Sequence, residues 1–268
     1  MKRLSRIAAA ALLILLMNAA QGRAQLFYDE FDEYSDFHGS VGLGIAYSPV
    51  FTGAKDVGYD FFPYFKLNYG PVFLNTDKGL GVRLLLIPER LEIAPALNYR
   101  EPRYDGSSSI LNGMGDINLN LTAGGTVTLS LEDLVFSVKT FYGLSNDRGL
   151  EVDLRAAYVN QPNERLRWGF MASSSFADAT FNRTYFGVTA EQATASGYTA
   201  YSPEAGFKDI SLMGSVDYFF SPKISLDFFA SYTRLIGEAA DSPIVQRGSP
   251  DQVKAGLLLF YHFGDAYY

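Results

Sequence analysis

The chain of 268 residues contains no cysteine. Disulfide bonds, thiol catalysis and cysteine-based zinc sites are therefore excluded, and stability must come from backbone pairing and packing. Histidine is nearly absent as well, since only His38 and His262 occur. Neither of them has a second histidine or a carboxylate at metal-binding spacing on a helix, so the sequence predicts no metal and no cofactor.

Long apolar runs are missing beyond the N-terminus. A membrane-spanning helix needs about 20 mainly apolar residues, and no segment after residue 24 supplies them. The N-terminus itself has a basic head, an apolar stretch from Ile7 to Met17, and the small residues Gly22 and Ala24. This pattern predicts a signal peptide over residues 1–24, cleaved between Ala24 and Gln25.

The chain has fewer basic than acidic residues. Four of the 22 basic residues lie in the predicted signal peptide, which leaves 18 against 29 acidic residues and a net charge of −11 for residues 25–268. Nucleic-acid binding requires a basic surface that neutralises phosphates, so this balance argues against a nucleic-acid partner.

What the sequence does contain is alternation with a period of two. In "ISLDFFASYT" (residues 224–233) the apolar residues occupy one parity and polar residues the other, with Phe229 as the exception. Similar segments recur along the chain, at about 41–47, 61–69, 91–100, 117–122, 150–158, 166–170, 210–218 and 253–263. Such a pattern is typical of strands with one apolar and one polar face.

The length of these segments favours a membrane barrel over a soluble sandwich. Soluble strands usually have about 5–6 residues, whereas tilted membrane strands need about 9–11. Tyrosines end many segments, as an aromatic girdle requires: Tyr47, Tyr69, Tyr99, Tyr142, Tyr158 and Tyr218. Because a bilayer cannot satisfy open sheet edges, we predict an all-β, antiparallel, up-and-down transmembrane barrel over residues 25–268 in the outer membrane.

The positions of the two termini require an even number of strands. The evident segments number eleven, but a barrel with both termini in the periplasm needs an even number. A turn at Asp77–Gly79 supplies the missing strand within residues 71–87. The prediction is twelve strands, with ten as the alternative if two segments merge.

Connection lengths predict the orientation. Short turns at 87–91, 131–134, 161–165 and 221–223 are expected to face the periplasm, and long loops at about 101–115, 177–203 and 237–251 the exterior. Within the second loop, Thr189 as N-cap, Gln192 three residues later and Gly197 as C-terminal stop predict a short helix.

The polar strand faces carry charges of both signs. We predict that a network of charged side chains faces the lumen; its members are Arg83, Glu92, Glu151, Asp153, Arg155, Arg167, Asp217 and Asp227. Two interpretations stay open, a plug of paired charges and a hydrated wall. Catalysis is not predicted: a barrel phospholipase needs serine and histidine on the outer wall, and His262 has lumen parity.

Two C-terminal stretches, "DATFNRTYFGVTAEQATASGYTAYSPEAGFKDISL" (178–212) and "YTRLIGEAADSPIV" (232–245), closely resemble the MipA/OmpV family of outer-membrane proteins. The stretch "GLGIAYSPVFTGAKD" (42–56), followed by "FFPYFKLNYG" and "GLGVRLLL", is similar to the N-terminal half of that family. One departure is that "GDAYY" follows Phe263, where relatives end, so either Phe263 or Tyr268 is the terminal assembly signal.

The resemblance implies a monomeric outer-membrane barrel without catalysis, in contact with outer-membrane lipid. The member that names the family is a scaffold joining a lytic transglycosylase to a bifunctional penicillin-binding protein. Other members are surface antigens, adhesins or small-solute channels. The resemblance favours a scaffold for peptidoglycan enzymes, with Glu89, Asp133 and Asn163 in periplasmic turns as candidate contacts. The alternative is a narrow channel or a surface adhesin or antigen.

Overall fold

The computed structural model describes residues 37–87, 90–145 and 149–264. They form one antiparallel sheet with helices at one end. The strands are β1 (His38–Pro49), β2 (Val57–Tyr69), β3 (Val72–Asn75), β4 (Gly79–Val82), β5 (Leu84–Ile87), β6 (Leu91–Arg100), β7 (Asn120–Leu131), β8 (Leu134–Gly143), β9 (Leu150–Asn163), β10 (Leu166–Ala177), β11 (Gly206–Ser221), β12 (Ile224–Leu235) and β13 (Asp251–Phe263). The helices are α1 (Ala179–Phe186), α2 (Ala190–Ser196), α3 (Gly237–Ala240) and α4 (Pro243–Arg247), with 3₁₀ turns at Asp105–Ser107 and Ser109–Leu111.

Pairing of the first and last strands closes the sheet into a barrel. β1 pairs with β13 in a register that runs from Gly39 opposite Phe263 to Tyr47 opposite Ala255. On the other side of the ring, β4 and β5 are two parts of one strand, interrupted at Arg83, and both pair with β6. The ring therefore has twelve strands, which confirms the predicted barrel and its strand number.

The predicted turn within residues 71–87 is also confirmed. Residues 76–78 join β3 to β4, and Gly79 follows with a φ of +86°. A Cβ atom at this position would collide with the carbonyl oxygen of Leu97 on β6. Glycine thus lets the short hairpin approach its neighbour in a left-handed backbone conformation.

Alternating residues separate a lipid face from a lumen face. Leu43 and Phe61 are each 74% exposed on the outer wall, whereas Phe229 and Asp227 are fully buried inside. Phe229 breaks the sequence alternation because it fills the lumen with an aromatic ring. The predicted outward aromatic and apolar positions thus form the surface that a bilayer solvates.

Aromatic pairs mark both ends of this lipid face. We keep the predicted orientation, in which the end with the long loops is the outer end and the end with the short turns is the periplasmic end. At the outer end Tyr47 packs on Tyr59, with 5.6 Å between ring centroids. At the periplasmic end the pairs are Tyr158–Trp168, Tyr218–Phe220 and Phe37–Phe263, at 5.6, 5.3 and 5.2 Å. Phe263 thus ends β13 in an aromatic pair, while Tyr268 lies outside the described residues, as do Ala24 and Gln25.

The predicted loop helix is α2. The Thr189 side chain accepts a hydrogen bond from the Gln192 N–H at 3.2 Å, and the Gln192 side chain accepts one from the Thr189 N–H at 2.9 Å. Gly197 ends the helix in the left-handed conformation. This reciprocal capping box confirms the helix expected from the sequence. The preceding helix α1 was not expected; Asp178 caps it by accepting from the Phe181 N–H.

The β3–β4 hairpin is too short to complete the wall. β2 continues outward to Val57 and β6 to Arg100, whereas the hairpin ends at residues 76–78. Within the described part of the chain, no strand pairs with the side of β2 that lies above this hairpin. We call this gap between residues 57–64 of β2 and the end of β6 the window.

The window exposes backbone groups at membrane depth. Phe65 faces the hairpin, because its N–H and C=O both bond to Thr76, at 2.9 and 3.0 Å. Since alternate residues of a strand direct these groups to the same side, Pro63, Phe61 and Tyr59 direct theirs into the window. Pro63 has no N–H to leave unpaired, as is usual for proline at a strand edge. Hydrocarbon cannot satisfy the remaining groups, so water must reach them.

Residue-resolved hydrogen exchange in lipid bilayers tests the window. We expect the Phe61 amide to exchange much faster than the Phe62 amide, because the backbone N–H of Phe62 is directed to β1, where Phe62 pairs with Gly44. Leu43 and Gly44 of β1, which has a neighbour on each side, serve as controls and should both be protected. Equal protection of Phe61 and Phe62 would show that the wall is closed at this place.

Candidate functional site: the barrel lumen and its two rims

The outer mouth of the barrel is covered by packed loops. We call residues 50–56, 101–119, 178–205 and 236–250 the lid. Its main apolar cluster joins all four segments and consists of Phe51, Ala54, Ile110, Leu111, Met114, Val188, Tyr198 and Ile244. A second cluster packs α1 on α3 and α4 through Phe186, Ala239 and Val245. The lid thus has a core of its own above the barrel.

Hydrogen bonds connect the lid segments across the mouth. Tyr198 donates to the carbonyl of Ile110 at 2.7 Å, and Gln192 donates to that of Met114 at 2.6 Å. Tyr201 donates to the Glu238 carboxylate at 2.8 Å. Burial raises the pKa of Tyr201 above its ordinary value, and Glu238 raises it further, so the phenol keeps its proton at neutral pH.

A chamber of about 460 Å³ lies beneath the lid. Its ceiling includes Phe51, Phe181 and Phe186, and its floor includes Met171 and Met213. Charged groups line its sides: Arg100, Glu101, Arg103, Glu151, Lys208, Asp209 and Lys254. The chamber can hold a small polar molecule, since it is both roomy and charged.

Ion pairs cross the chamber wall. Lys208 lies 3.0 Å from Glu151 and 2.7 Å from Asp209, and Arg100 lies 3.8 Å from Glu151. Arg103, which hydrogen-bonds the Tyr185 carbonyl at 2.7 Å, belongs to the lid, and burial lowers its pKa to about 10. Arg103 therefore stays charged at neutral pH.

Apolar side chains fill the lumen below the chamber. We call this set the hydrophobic layer; it comprises Ala46, Phe62, Tyr64, Ala157, Met171, Met213, Phe229, Leu258 and Phe260. The members come from seven strands, β1, β2 and β9 to β13, and none is more than 7% exposed. A packed layer of this kind excludes water from the middle of the barrel.

The β3–β4 turn fills the opposite side of the lumen. The Asp77 carboxylate lies 2.7 Å from Lys139 on β8 and 2.9 Å from Arg155 on β9. Its carbonyl accepts from Asn98 at 2.8 Å. Arg155 also contacts Asp153, at 3.1 Å. The short hairpin is thus held inside the barrel by charges from strands across the lumen.

The lower lumen contains two further charged groups. Arg83, where the strand formed by β4 and β5 is interrupted, lies 2.8 Å from Glu92. Arg167 on β10 lies 2.8 Å from Asp217 on β11. Asp227, opposite Asp217 on β12, is fully buried and makes no hydrogen bond within the described residues.

His262 lies in the lower lumen between aromatic rings. Its Nδ1 and Nε2 atoms are 2.8 Å from Ser40 Oγ and 2.9 Å from Ser225 Oγ. The imidazole stacks on Phe219 and Phe260, with centroids 5.4 and 5.8 Å away. The group is buried and faces away from lipid, so this serine–histidine contact serves packing and does not face a substrate on the outer wall.

The structure divides the eight predicted lumen residues among separate groups. Arg83 pairs with Glu92, Arg155 with Asp153, and Arg167 with Asp217, whereas Glu151 pairs with Arg100 and Lys208. Sequence analysis missed Asp77, because a turn residue has no strand parity. The signal that could have found it is the shortness of the 71–82 hairpin, which cannot reach the outer surface.

The periplasmic rim presents the other predicted residues. Asp133 in the β7–β8 turn and Asn163 at the end of β9 are exposed, and Glu89 lies outside the described residues. Tyr158 pairs with Leu134, the first residue of β8, and the Val159 N–H donates to the Asp133 carbonyl at 2.9 Å, so residues 160–163 of β9 extend beyond the β7–β8 turn. The tip of the β9–β10 hairpin therefore projects further than the neighbouring turn that contains Asp133.

The residues that the structure describes contain no group of three or more histidine or carboxylate side chains placed to hold a metal ion. None of their helices is long and apolar enough to cross a membrane.

Breaking the lid core should expose the lid to protease. Leu111 is 1% exposed. Replacing such a buried leucine by alanine lowers the free energy of unfolding by about 2–5 kcal/mol. We expect Leu111→Ala to accelerate trypsin cleavage at Arg183 and Arg247 while the barrel stays folded. Ser109→Ala, at an exposed position of the same turn, is the control. Unchanged cleavage of Leu111→Ala would show that the lid does not depend on this core.

Removing the Asp77 carboxylate should destabilise the whole barrel. Asp77→Asn leaves Lys139 and Arg155 without their shared anion, and breaking a buried ion pair costs about 3–5 kcal/mol. Urea unfolding of refolded protein measures this loss. Asp133→Asn removes an exposed carboxylate in another turn and should leave stability nearly unchanged. Equal stability of the two variants would contradict the anchoring role.

Comparison with known proteins places these features in a family. The family model described as MltA-interacting protein MipA matches residues 41–263. No curated protein matches the chain. Among solved structures, an outer-membrane channel from Pseudomonas putida F1 is 12% identical, with a TM-score of 0.47, over 89% of this chain and 100% of that chain.

The NanC porin is also similar, at 7% identity and a TM-score of 0.43, over 84% of this chain and 98% of that chain. The family match covers nearly the whole described barrel, from β1 to the end of β13. The chain is an outer-membrane β-barrel and belongs to the MipA family, the family of the MltA-interacting protein.

Proposed function

We propose that this protein is a non-enzymatic outer-membrane scaffold that binds a lytic transglycosylase through its periplasmic rim. The observation that carries this proposal is the filled lumen. The lid covers one mouth of the barrel, and the hydrophobic layer and the charged group around Asp77 fill opposite sides of the lumen beneath it. A barrel filled in this way acts through its rims, and the family name points to a transglycosylase partner.

The periplasmic rim has features that fit a protein partner. The β9–β10 hairpin extends beyond β8, and its tip carries Asn163, Glu164 and Arg165 in exposed positions. Glu132 and Asp133 form the adjacent turn, where Glu132 has a φ of +52°. Polar and charged rims set the orientation and rate of association between proteins.

A penicillin-binding protein is the second partner in this proposal. A scaffold would bring the hydrolytic and synthetic enzymes together and raise the effective concentration of one near the other. The barrel would remain monomeric, with its outer wall in contact with lipid. In this arrangement Glu89, Asp133 and Asn163 are the candidate contacts.

Crosslinking in cells tests the scaffold. Photoreactive residues at Asp133 and Asn163, and at Glu89 between Ile87 and Arg90 of the sequence, should capture peptidoglycan-cleaving or peptidoglycan-synthesising enzymes. Probes at the exposed lid positions Glu191 and Thr194 are the matched controls and should not. If the turn probes capture no such enzyme, or if only the lid probes capture partners, the scaffold proposal fails.

A narrow channel is the second candidate, favoured by the chamber of about 460 Å³. Because the hydrophobic layer separates this chamber from the lower lumen, we expect the reconstituted protein to give only rare, small currents. Replacing Phe229 and Phe260 by alanine should increase the conductance, with Phe228→Ala on the lipid face as the control. Large, stable currents from the unmodified protein would favour the channel over the scaffold.

A further inference from the structure

At one place in the lower lumen two carboxyl groups lie side by side, and among the described residues a single cation bonds to them. Asp217 and Asp227 lie directly opposite each other on β11 and β12, both facing the lumen. Side chains at such positions have Cβ atoms about 4.5–5.5 Å apart. Arg167, opposite Asp217 on β10, lies 2.8 Å from one Asp217 oxygen. Arg167 therefore bonds to one of the two carboxyl groups and not to the other.

Asp227 is shielded from solvent, and no donor among the described residues bonds to it. Its side chain is fully buried, and both of its oxygens lack a hydrogen-bond partner among the described residues, as does the second oxygen of Asp217. An ionised carboxylate in this position would be a buried charge without compensation, which costs several kcal/mol. Two adjacent carboxyl groups in such a setting ionise only once.

Other groups around the pair do not supply the missing donor. On β13 the residue opposite Asp227 is Leu258, a fully buried member of the hydrophobic layer. His262, four residues further along β13, has both ring nitrogens bonded to Ser40 and Ser225. Lys66 lies on β2 opposite Ser40, so β1 stands between it and β13. Its positive charge acts electrostatically on the His262 ring. Arg167 directs its bond to Asp217.

We propose that Asp217 and Asp227 hold one proton between them and form a proton-binding site in the lower lumen. The O–H of Asp227 donates to the second oxygen of Asp217, while Arg167 compensates the remaining charge. This bond gives a partner to two of the three oxygens that otherwise lack one in the pair, and it leaves only the neutral carbonyl oxygen of Asp227 without a donor. Loss of the proton would place a second negative charge beside Leu258, against the hydrophobic layer.

The site has a consequence for stability. The native barrel holds a proton that the unfolded chain releases below neutral pH, so the native state binds more protons near neutrality. Stability then falls as the pH rises, by about tenfold in the folding equilibrium constant per pH unit while the pair stays protonated. Asp227→Asn keeps a donor and the shape of the neutral acid, so its stability should lack this slope.

Infrared difference spectroscopy of the refolded protein in lipid vesicles tests the proposal directly. At neutral pH, the spectrum of the wild type minus that of Asp227→Asn should show the carbonyl stretch of one protonated carboxylic acid. Asp153→Asn removes an arginine-paired lumen carboxylate and should leave that band in place. Heat-modifiable gel migration checks that both variants fold.

Three results would overturn the proton site. They are absence of the band at neutral pH, its persistence in Asp227→Asn, and its loss on adding sodium or calcium ions at constant pH, which would mean that a metal cation occupies the pair. If Asp227→Asn does not fold, the wild type alone decides: the band must be present at neutral pH and disappear at alkaline pH. A spectrum without that change would equally contradict the proposal.

Discussion

The backbone hydrogen bonds between β1 and β13 close the sheet, and the rest of the structure depends on that closure. In hydrocarbon an open edge leaves N–H and C=O groups without partners, at a cost of several kcal/mol each. Closure removes nearly all edges, and the one place where the wall stays incomplete, above the β3–β4 hairpin, has a proline at its first unpaired position. The same requirement therefore explains the ring and the position of Pro63.

Closure also creates an interior that must be filled. With twelve strands the lumen is narrow, so polar side chains from opposite strands lie only a few side-chain lengths apart. Here it is filled in layers, with a lid, a chamber, an apolar layer and charged groups below. Inside such a space, water competes poorly with charged partners, so each carboxylate must find a cation, a donor or a proton. Asp77 and Asp217 are each bonded to a cation, and Asp227 is the carboxyl group for which we propose a proton.

This arrangement is the basis of our proposal that the protein acts through its rims. The described lumen holds ion pairs that neutralise one another and an imidazole that is bonded to two serines. The external rim is covered by a lid with its own core, whereas the periplasmic rim consists of short charged turns and one extended hairpin. A partner of the kind named by the family would meet these turns first.

The sequence by itself determined the fold class, the strand number and the helix α2, because these depend on local patterns. Alternation with a period of two places side chains on faces, tyrosines mark strand ends, and Thr189 with Gln192 forms a capping box within four residues. Parity also placed the eight charged residues on polar faces. A sequence pattern, however, carries no information about distances between strands that are far apart in the chain.

Only the tertiary structure decided which charges meet. Arg167 lies opposite Asp217, so Asp227 has no cation to itself, and this follows from the register of β10, β11 and β12. Asp77 reaches Lys139 and Arg155 because the hairpin that carries it is short and bends into the lumen. Phe229, an exception to alternation in the sequence, is buried because the closed ring brings Met213, Leu258 and Phe260 around it. Barrel closure sets these contacts, and no local pattern encodes it.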